Sequence, residues 1–365
     1  MMSNINFKQL NEVSDWKQIV HQLWHSSCQG SIWNTIEMYE FRKLCLDEKY
    51  SIKDLSFLIY NDEKPIGYMF FLAYQDGLQW NARYESVPLC WPCLIDTFLT
   101  QTNYVECIFR YIDEVCVINK IDIIDLKINA SSLDKDTYSY TIRKFRYIDE
   151  SYSSHMVLIK DFEISDIRQK YRQLVNKHKD SYTLNCVNID ENVDKNLINE
   201  YFTLHVLDAG GKYRSYETYT SQFQTLRNGG IVAYAKDKHD NMAGMLQIAV
   251  GKDEAYDASV AIHPNHASFA VSHLLKFAAI KYLKQTGVNI FDLGKTDYYP
   301  TFYSIPTKKN YGINFFKDGW SRGNCRKVYR ATKFFTESAL EGHMKKQKQK
   351  IIDHIINDES ESNLV

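Results

Sequence analysis

Apolar residues recur at two spacings along this chain, and the changes between them mark its elements. Around Val105, Ile108, Tyr111, Ile112 and Val115, and again around Val271, Leu274, Leu275, Ala278 and Tyr282, the spacing is three to four residues. It predicts two helices, each with one apolar stripe to lay on a sheet. Shorter apolar runs predict strands at Leu55 to Tyr60 and Ile66 to Tyr74 about a turn at Asn61 to Lys64, and at Ile231 to Ala235 and Met242 to Val250 about a turn at Lys236 to Asn241. Each pair continues through a polar stretch, Gln75-Asp76-Gly77 or Gly251-Lys252-Asp253, into a third strand. The helix follows, and then a strand carrying Asp-Leu: Ile121 to Lys127 with Asp125-Leu126, and Val288 to Lys295 with Asp292-Leu293. Gly287 is placed to end the second helix.

Helical segments also open each half, at Trp16, Ile19, Val20 and Leu23 in the first, and at Leu197 to Leu204 followed by Tyr216 to Leu226 in the second. Helices, three antiparallel strands, helix and strand are therefore written twice. The 365 residues are enough for two cores. The expectation is an α+β chain of two tandem domains, residues 1–150 and 151–335, each a mixed, mostly antiparallel sheet flanked by helices, with a basic helix and polar tail at 336–365. A basic helical segment, Ile164 to Lys179, would connect or bridge the sheets.

Composition narrows the function classes. With 44 Lys+Arg against 45 Asp+Glu the net charge is −1, so the chain as a whole is not built to coat DNA or an anionic membrane. No run approaches 18 apolar residues and no signal peptide is written, which leads to the expectation of a cytoplasmic protein. The eight scattered cysteines fit a reducing compartment. Cys90-Trp91-Pro92-Cys93 has redox or zinc spacing, but no second ligand pair lies nearby and packing is the simpler reading. No metal is expected.

The order of elements resembles the GNAT acyltransferase fold, and its duplication resembles the FemAB/FemX-like peptidyltransferases and related acyltransferases of envelope polysaccharide synthesis. The residues that carry the resemblance are Tyr256-Asp257-Ala258-Ser259, His263-Pro264-Asn265-His266, Phe291-Asp292-Leu293-Gly294 and the closing stretch Tyr311 to Trp320, in which Phe316-Lys317 precedes Trp320. Ser31-Ile32-Trp33 and Tyr171-Arg172-Gln173-Leu174-Val175 add to it. The resemblance implies acyl or aminoacyl transfer to an amine, with an acyl-CoA or aminoacyl-tRNA donor and a small-molecule or glycan-precursor acceptor such as an amino sugar. Two departures stand out. The 35 residues between Gly251 and Gly287 contain no glycine, where a simple acetyl-CoA site has a Gly-rich loop. No long coiled-coil hairpin is written, which argues against a bulky aminoacyl-tRNA.

Strand alternation places Ala255, Asp257, Ser259 and Ala261 on one small, polar face, lining either a groove or a solvated surface. Asp292 stands where its strand ends, as a functional carboxylate or as a turn former. Amine transfer needs a proton acceptor and charge for an oxyanion. Asp257 or Asp292 could supply the first. The resemblance raises Lys317 above the other lysines for the second. From Pro300 to Lys350 twelve Lys+Arg face three Asp+Glu, so Lys308, Arg322 and their neighbours would suit a phosphorylated ligand, with His263, Tyr298 and Tyr311 beside it. The contrasting class is a GNAT-like module without catalysis that binds an anionic ligand.

Overall fold

The computed structural model describes residues 5–27, 31–85, 87–99, 101–129, 135–189, 194–211, 214–227, 229–267, 270–296 and 306–361. The first half runs β1 (Ile5–Gln9), α1 (Trp16–Ser26), α2 (Ile36–Asp47), β2 (Ile52–Asp54), β3 (Phe57–Asn61), β4 (Lys64–Met69), β5 (Leu72–Asp76), β6 (Gln79–Ala82), β7 (Leu89–Cys90), β8 (Cys93–Leu94), α3 (Asp96–Leu99), α4 (Thr102–Ile118), β9 (Ile123–Asn129) and α5 (Lys135–Phe145). It is followed by β10 (Ile148–Asp149), β11 (Tyr152–Leu158), α6 (Gln169–His178), β12 (Thr183–Asn188), α7 (Lys195–Asp208), α8 (Tyr216–Gln224), β13 (Ile231–Lys236), β14 (Met242–Val250), β15 (Glu254–Ile262), α9 (Val271–Thr286), β16 (Ile290–Lys295), α10 (Lys308–Ser321), β17 (Cys325–Phe334) and α11 (Glu337–Glu361).

The repeat is visible in the pairing. β13, β14 and β15 are antiparallel neighbours, α9 crosses over, and β16 returns parallel to β15. In the first half α4 crosses over and β9 returns parallel to β6. A parallel return needs a long crossover, and the striped helix supplies it. Gly287 closes α9 in the left-handed region at φ 81°.

The sheets do not stay separate. One path runs β12-β13-β14-β15-β16-β11-β17-β9-β6-β5-β2. The final strands are exchanged: β17 of the second half pairs with β9, and β11, which follows the first half, pairs with β16. β11 and β17 then pair with each other and join the halves into one sheet. The predicted strand Ile66 to Tyr74 is broken at Phe70-Phe71. Its front, β4, joins a second sheet, β1-β3-β4-β8, and its rear, β5, joins the long one. Cys90 and Cys93 fall into those two different sheets, and burial pushes both thiols up to about 11, which keeps them protonated as packing groups.

Three cores result. One fills the first half. A second lies between the sheet and α6, α9 and α10. A third joins Met38 and Phe41 of α2 to Tyr201, Tyr219 and Phe223 of α7 and α8, so the halves share apolar packing as well as strands. The basic segment at 164–179 forms α6, which docks on the second half instead of bridging the sheets: Arg168 pairs with Asp318 at 3.0 Å, and Arg168 and Tyr171 donate to the Phe315 carbonyl at 3.0 and 3.1 Å. Among the described residues no helix is long and apolar enough to cross a membrane.

Candidate functional site

The parallel pairing of β15 with β16 covers only Glu254 to Tyr256 against Ile290 to Asp292. Beyond that point β15 runs on beside β14, β16 turns toward β11, and the strands separate into a fork. The edge of β15 past Tyr256 therefore carries backbone N–H and C=O groups with no strand opposite them on the fork side among the described residues, the kind of groups that bind an extended or carbonyl-bearing ligand.

Gly294 stands on the β16 branch with φ 91°, a conformation that a side chain resists. A Cβ there would lie 3.0 Å from the Lys317 Nζ and 3.8 Å from the Tyr256 hydroxyl. Lys317 also donates to the Lys295 carbonyl at 3.3 Å. α10 holds this ammonium in place: it begins with a reciprocal Thr307–Asn310 capping box, and its third turn is gripped by Arg168 and Tyr171 at Phe315 and Asp318, on either side of Lys317 in sequence. A positive charge is thus delivered to a bare stretch of backbone at the mouth of the fork.

Asp292 lies beside it, buried. Its Oδ1 accepts from Ser154 Oγ at 2.6 Å and from the Gly294 N–H at 2.7 Å, while Oδ2 accepts from Arg326 Nη2 at 2.5 Å and Nε at 3.2 Å. Arg326 pairs on its other side with Glu254. Burial pulls the guanidinium pKa down, but Glu254 and Asp292 outweigh it and hold it above its ordinary value. Both oxygens of Asp292 are occupied, so this carboxylate fixes strand ends and an arginine. It is poorly arranged to take up a proton.

The expectation that Asp257 and Ser259 share a face fails. Gln247 pairs with Ser259 and Ile248 with Asp257, so Ala258 is an extra residue in β15 and the β-bulge turns its neighbours to opposite sides. Ser259 meets the buried Tyr201 hydroxyl at 2.5 Å, under α7. Asp257 faces α9, where its Oδ2 takes the Lys276 ammonium. It remains the first residue past the branch point of the fork.

The other expected residues scatter. His263 caps a short turn, accepting from the Asn265 N–H at 3.2 Å. Lys308 begins α10, nine residues and about 13 Å along the axis from Lys317. Tyr311 lies six residues before Lys317, on another side of the helix. Arg322 is turned to Asp166 at 2.9 Å, in a surface cleft with Arg168 and Arg172. Tyr298 lies outside the described residues. The basic stretch does not form one anion site, because Arg326 and Arg330 are used on the sheet: Arg330 grips Asp125 at 2.6 and 2.9 Å, with Glu150 at 3.3 Å. Among the described residues no group of His, Cys, Asp and Glu could hold a metal.

Sequence reasoning missed His155, Lys276 and the aromatic neighbour of Tyr256. Buried His155 bonds Ser321 at 3.1 Å through Nδ1, and burial followed by the Lys317 charge lowers its pKa. Tyr256 packs edge-on to Trp33 at 4.9 Å, and burial and then Asp292 raise its hydroxyl pKa. The Ser31-Ile32-Trp33 motif was the one available signal for this first-half contribution.

No protein-family model matches the sequence, and no curated protein is matched. Solved structures do match in fold. FemX superposes with a TM-score of 0.63 at 11% identity, covering 89% of this chain and 96% of that one. L-PGS from Bacillus licheniformis gives 0.54 at 12%, covering 76% and 85%. A tandem GNAT protein from the clavulanic acid biosynthesis pathway gives 0.52 at 10%, covering 91% and 98%. The expected fold, mixed sheets flanked by helices in tandem GNAT-like halves, is the fold of this chain.

Proposed function

We propose that this protein transfers an acyl or aminoacyl group to an amine, on an amino sugar or a cell-envelope precursor. The observation that carries the reading is the fork between β15 and β16 with the Lys317 ammonium set over Gly294. Attack of an amine on a thioester or ester carbonyl builds an oxyanion, and a fixed positive charge at the place where that charge develops is worth about 3 to 4 kcal/mol. The unpaired edge of β15 would hold the donor extended, with its carbonyl near Lys317. Asp292 positions Gly294 and Arg326. Asp257, whose Oδ2 alone is occupied among the described residues, is the carboxylate we assign to receive the amine proton, directly or through water. The donor is an acyl-CoA or an aminoacyl-tRNA. Residues 1–150 and 151–335 are in this reading the duplicated units, and 336–365 an addition to them.

A second reading, an anion-binding module without catalysis, draws on the absence of glycine from 252 to 286: α9 is entered through Ala270, held left-handed at φ 59°, where a phosphate loop would use glycine. Intact-mass detection of a transferred group on amino sugars and envelope precursors, with acyl-CoA and aminoacyl-tRNA donors in parallel, separates the two. Lys317→Ala should lower turnover at least about a hundredfold with an unchanged melting temperature. Full activity in the folded variant would remove Lys317 from the mechanism.

A further inference from the structure

The C-terminal helix α11 lays one side on the body of the protein and leaves the other to solvent. Ala339 is fully buried, Gln347 is 7% exposed, and the His343 ring packs on that of Phe334 at 5.1 Å. These three residues stand four apart and mark the docked side. The solvent side carries Leu340 and Met344, 38% and 41% exposed, and two turns further on the half-exposed Ile351 and Ile352. Lys345 and Lys348 lie among them, and together with Met344, Ile351 and Ile352 they line a depression in the surface. Among the described residues none of the four apolar side chains joins any of the three cores. A soluble helix gains nothing from such a stripe unless something covers it.

Charge says what the cover is. Between Glu341 and Asp353 stand Lys345, Lys346, Lys348 and Lys350 and no acid. Among the described residues none of the four is held in an ion pair. We propose that the solvent side of α11 docks the protein on the surface of an anionic lipid bilayer, with the helix lying in the plane of the headgroups and not crossing them. Leu340, Met344 and Ile351 would enter among the headgroups, while the lysine stems lie along the apolar surface and carry their ammonium groups out to the lipid phosphates. A second copy of the helix centred on this stretch would set lysines against lysines, where like charges repel. A nucleic acid would take the lysines and leave the apolar side chains in water. An anionic bilayer satisfies both sets of groups, and the rest of the chain, with its net charge of −1, adds no general attraction that would obscure the site. The docking does not depend on the transfer reading.

The test uses the full chain and vesicles, with no donor or acceptor, so it fails or succeeds independently of transfer. The protein should float with vesicles of equal parts phosphatidylglycerol and phosphatidylcholine, should not float with phosphatidylcholine alone, and should be released as salt is raised. Lys345→Gln combined with Lys348→Gln should weaken binding at least about tenfold, and the corresponding double change to Arg should retain it. Met344→Gln should weaken binding as well. All of these positions are exposed, so the melting temperature should stay unchanged. No flotation with the anionic vesicles, equal flotation with phosphatidylcholine alone, or full binding by either the glutamine double variant or Met344→Gln would overturn the docking. Tighter retention on single-stranded RNA than on the anionic vesicles at the same salt would overturn it in favour of a nucleic acid, and self-association that Met344→Gln abolishes would overturn it in favour of a second copy.

Discussion

The ends of β9 and β16 are the same device used for different ends. Each carries an Asp-Leu pair whose aspartate is gripped by an arginine of β17, Arg330 on Asp125 and Arg326 on Asp292, and each arginine takes a second acid, Glu150 or Glu254. Two residues after the aspartate the halves diverge. The second half has Gly294, bare enough for Lys317 to lie over it. The first has Lys127, a buried charge of its own against Trp33. The two halves share the clamp that holds the seam and differ in the residue just beyond it, which is where chemistry can change without loss of the fold.

The comparison can be broken most forcefully at the arginines. Removing one partner of a buried ion pair leaves an uncompensated charge and costs about 3 to 5 kcal/mol. Arg326→Ala and Arg330→Ala should both lower the unfolding free energy, read by chemical denaturation, by amounts of that order, and a large loss from one alone would show that the clamps are not equivalent.

Lys127 offers the next largest effect. Burial brings its ammonium pKa down to about 8, opposed first by Cys90 and then by Asp292 and Glu254, with Arg42 adding a lesser push downward. In the unfolded chain that group titrates near 10.4. Between these values the unfolded state binds the extra proton, so stability should rise with pH across this window, by about 3 kcal/mol in all, with the full cost present below pH 8. Chemical denaturation at pH 7 and pH 10 should show this rise in the wild type and lose it in Lys127→Met. A rise of equal size in both proteins would assign it to another group.

Gly294→Ala sharpens the other side at a smaller cost. The added methyl group faces positive φ and the Lys317 ammonium at 3.0 Å, so about 1 to 2 kcal/mol of stability should be lost. Turnover should fall by more than that loss of folded protein explains. An unaffected rate would mean that the position of Lys317 over this residue does not matter.

How far the sequence was legible follows from where the information sits. The stripes of α4 and α9 and the apolar runs of β13 and β14 are local patterns, and they were read in place. The bulge at Ala258 was not, because it is set by how β15 meets β14 and leaves no mark in the period of β15 itself; one extra residue turned Ser259 away from Asp257. The basic excess after Pro300 was real, but its use was hidden, since Arg330 and Asp125 lie 205 residues apart and only the exchanged strand brings them together. Lys127 was visible only as a charge at a strand end. Its burial against the Trp33 ring depends on a residue nearly a hundred positions earlier.

The exchange of β11 and β17 also orders events in time. Synthesis delivers the first half early, with β6 and β7 available to one edge of β9, yet its other edge can acquire β17 only when residues 325 to 334 have left the ribosome. Until then the edge of β9 is an open template, and the cheap local pairings of β3 with β4 or β13 with β14 must form without the seam that unites them. A strand made long after β9 thus closes the middle of the sheet, and a nascent chain that stops before residue 325 lacks the centre of the molecule and not a margin of it.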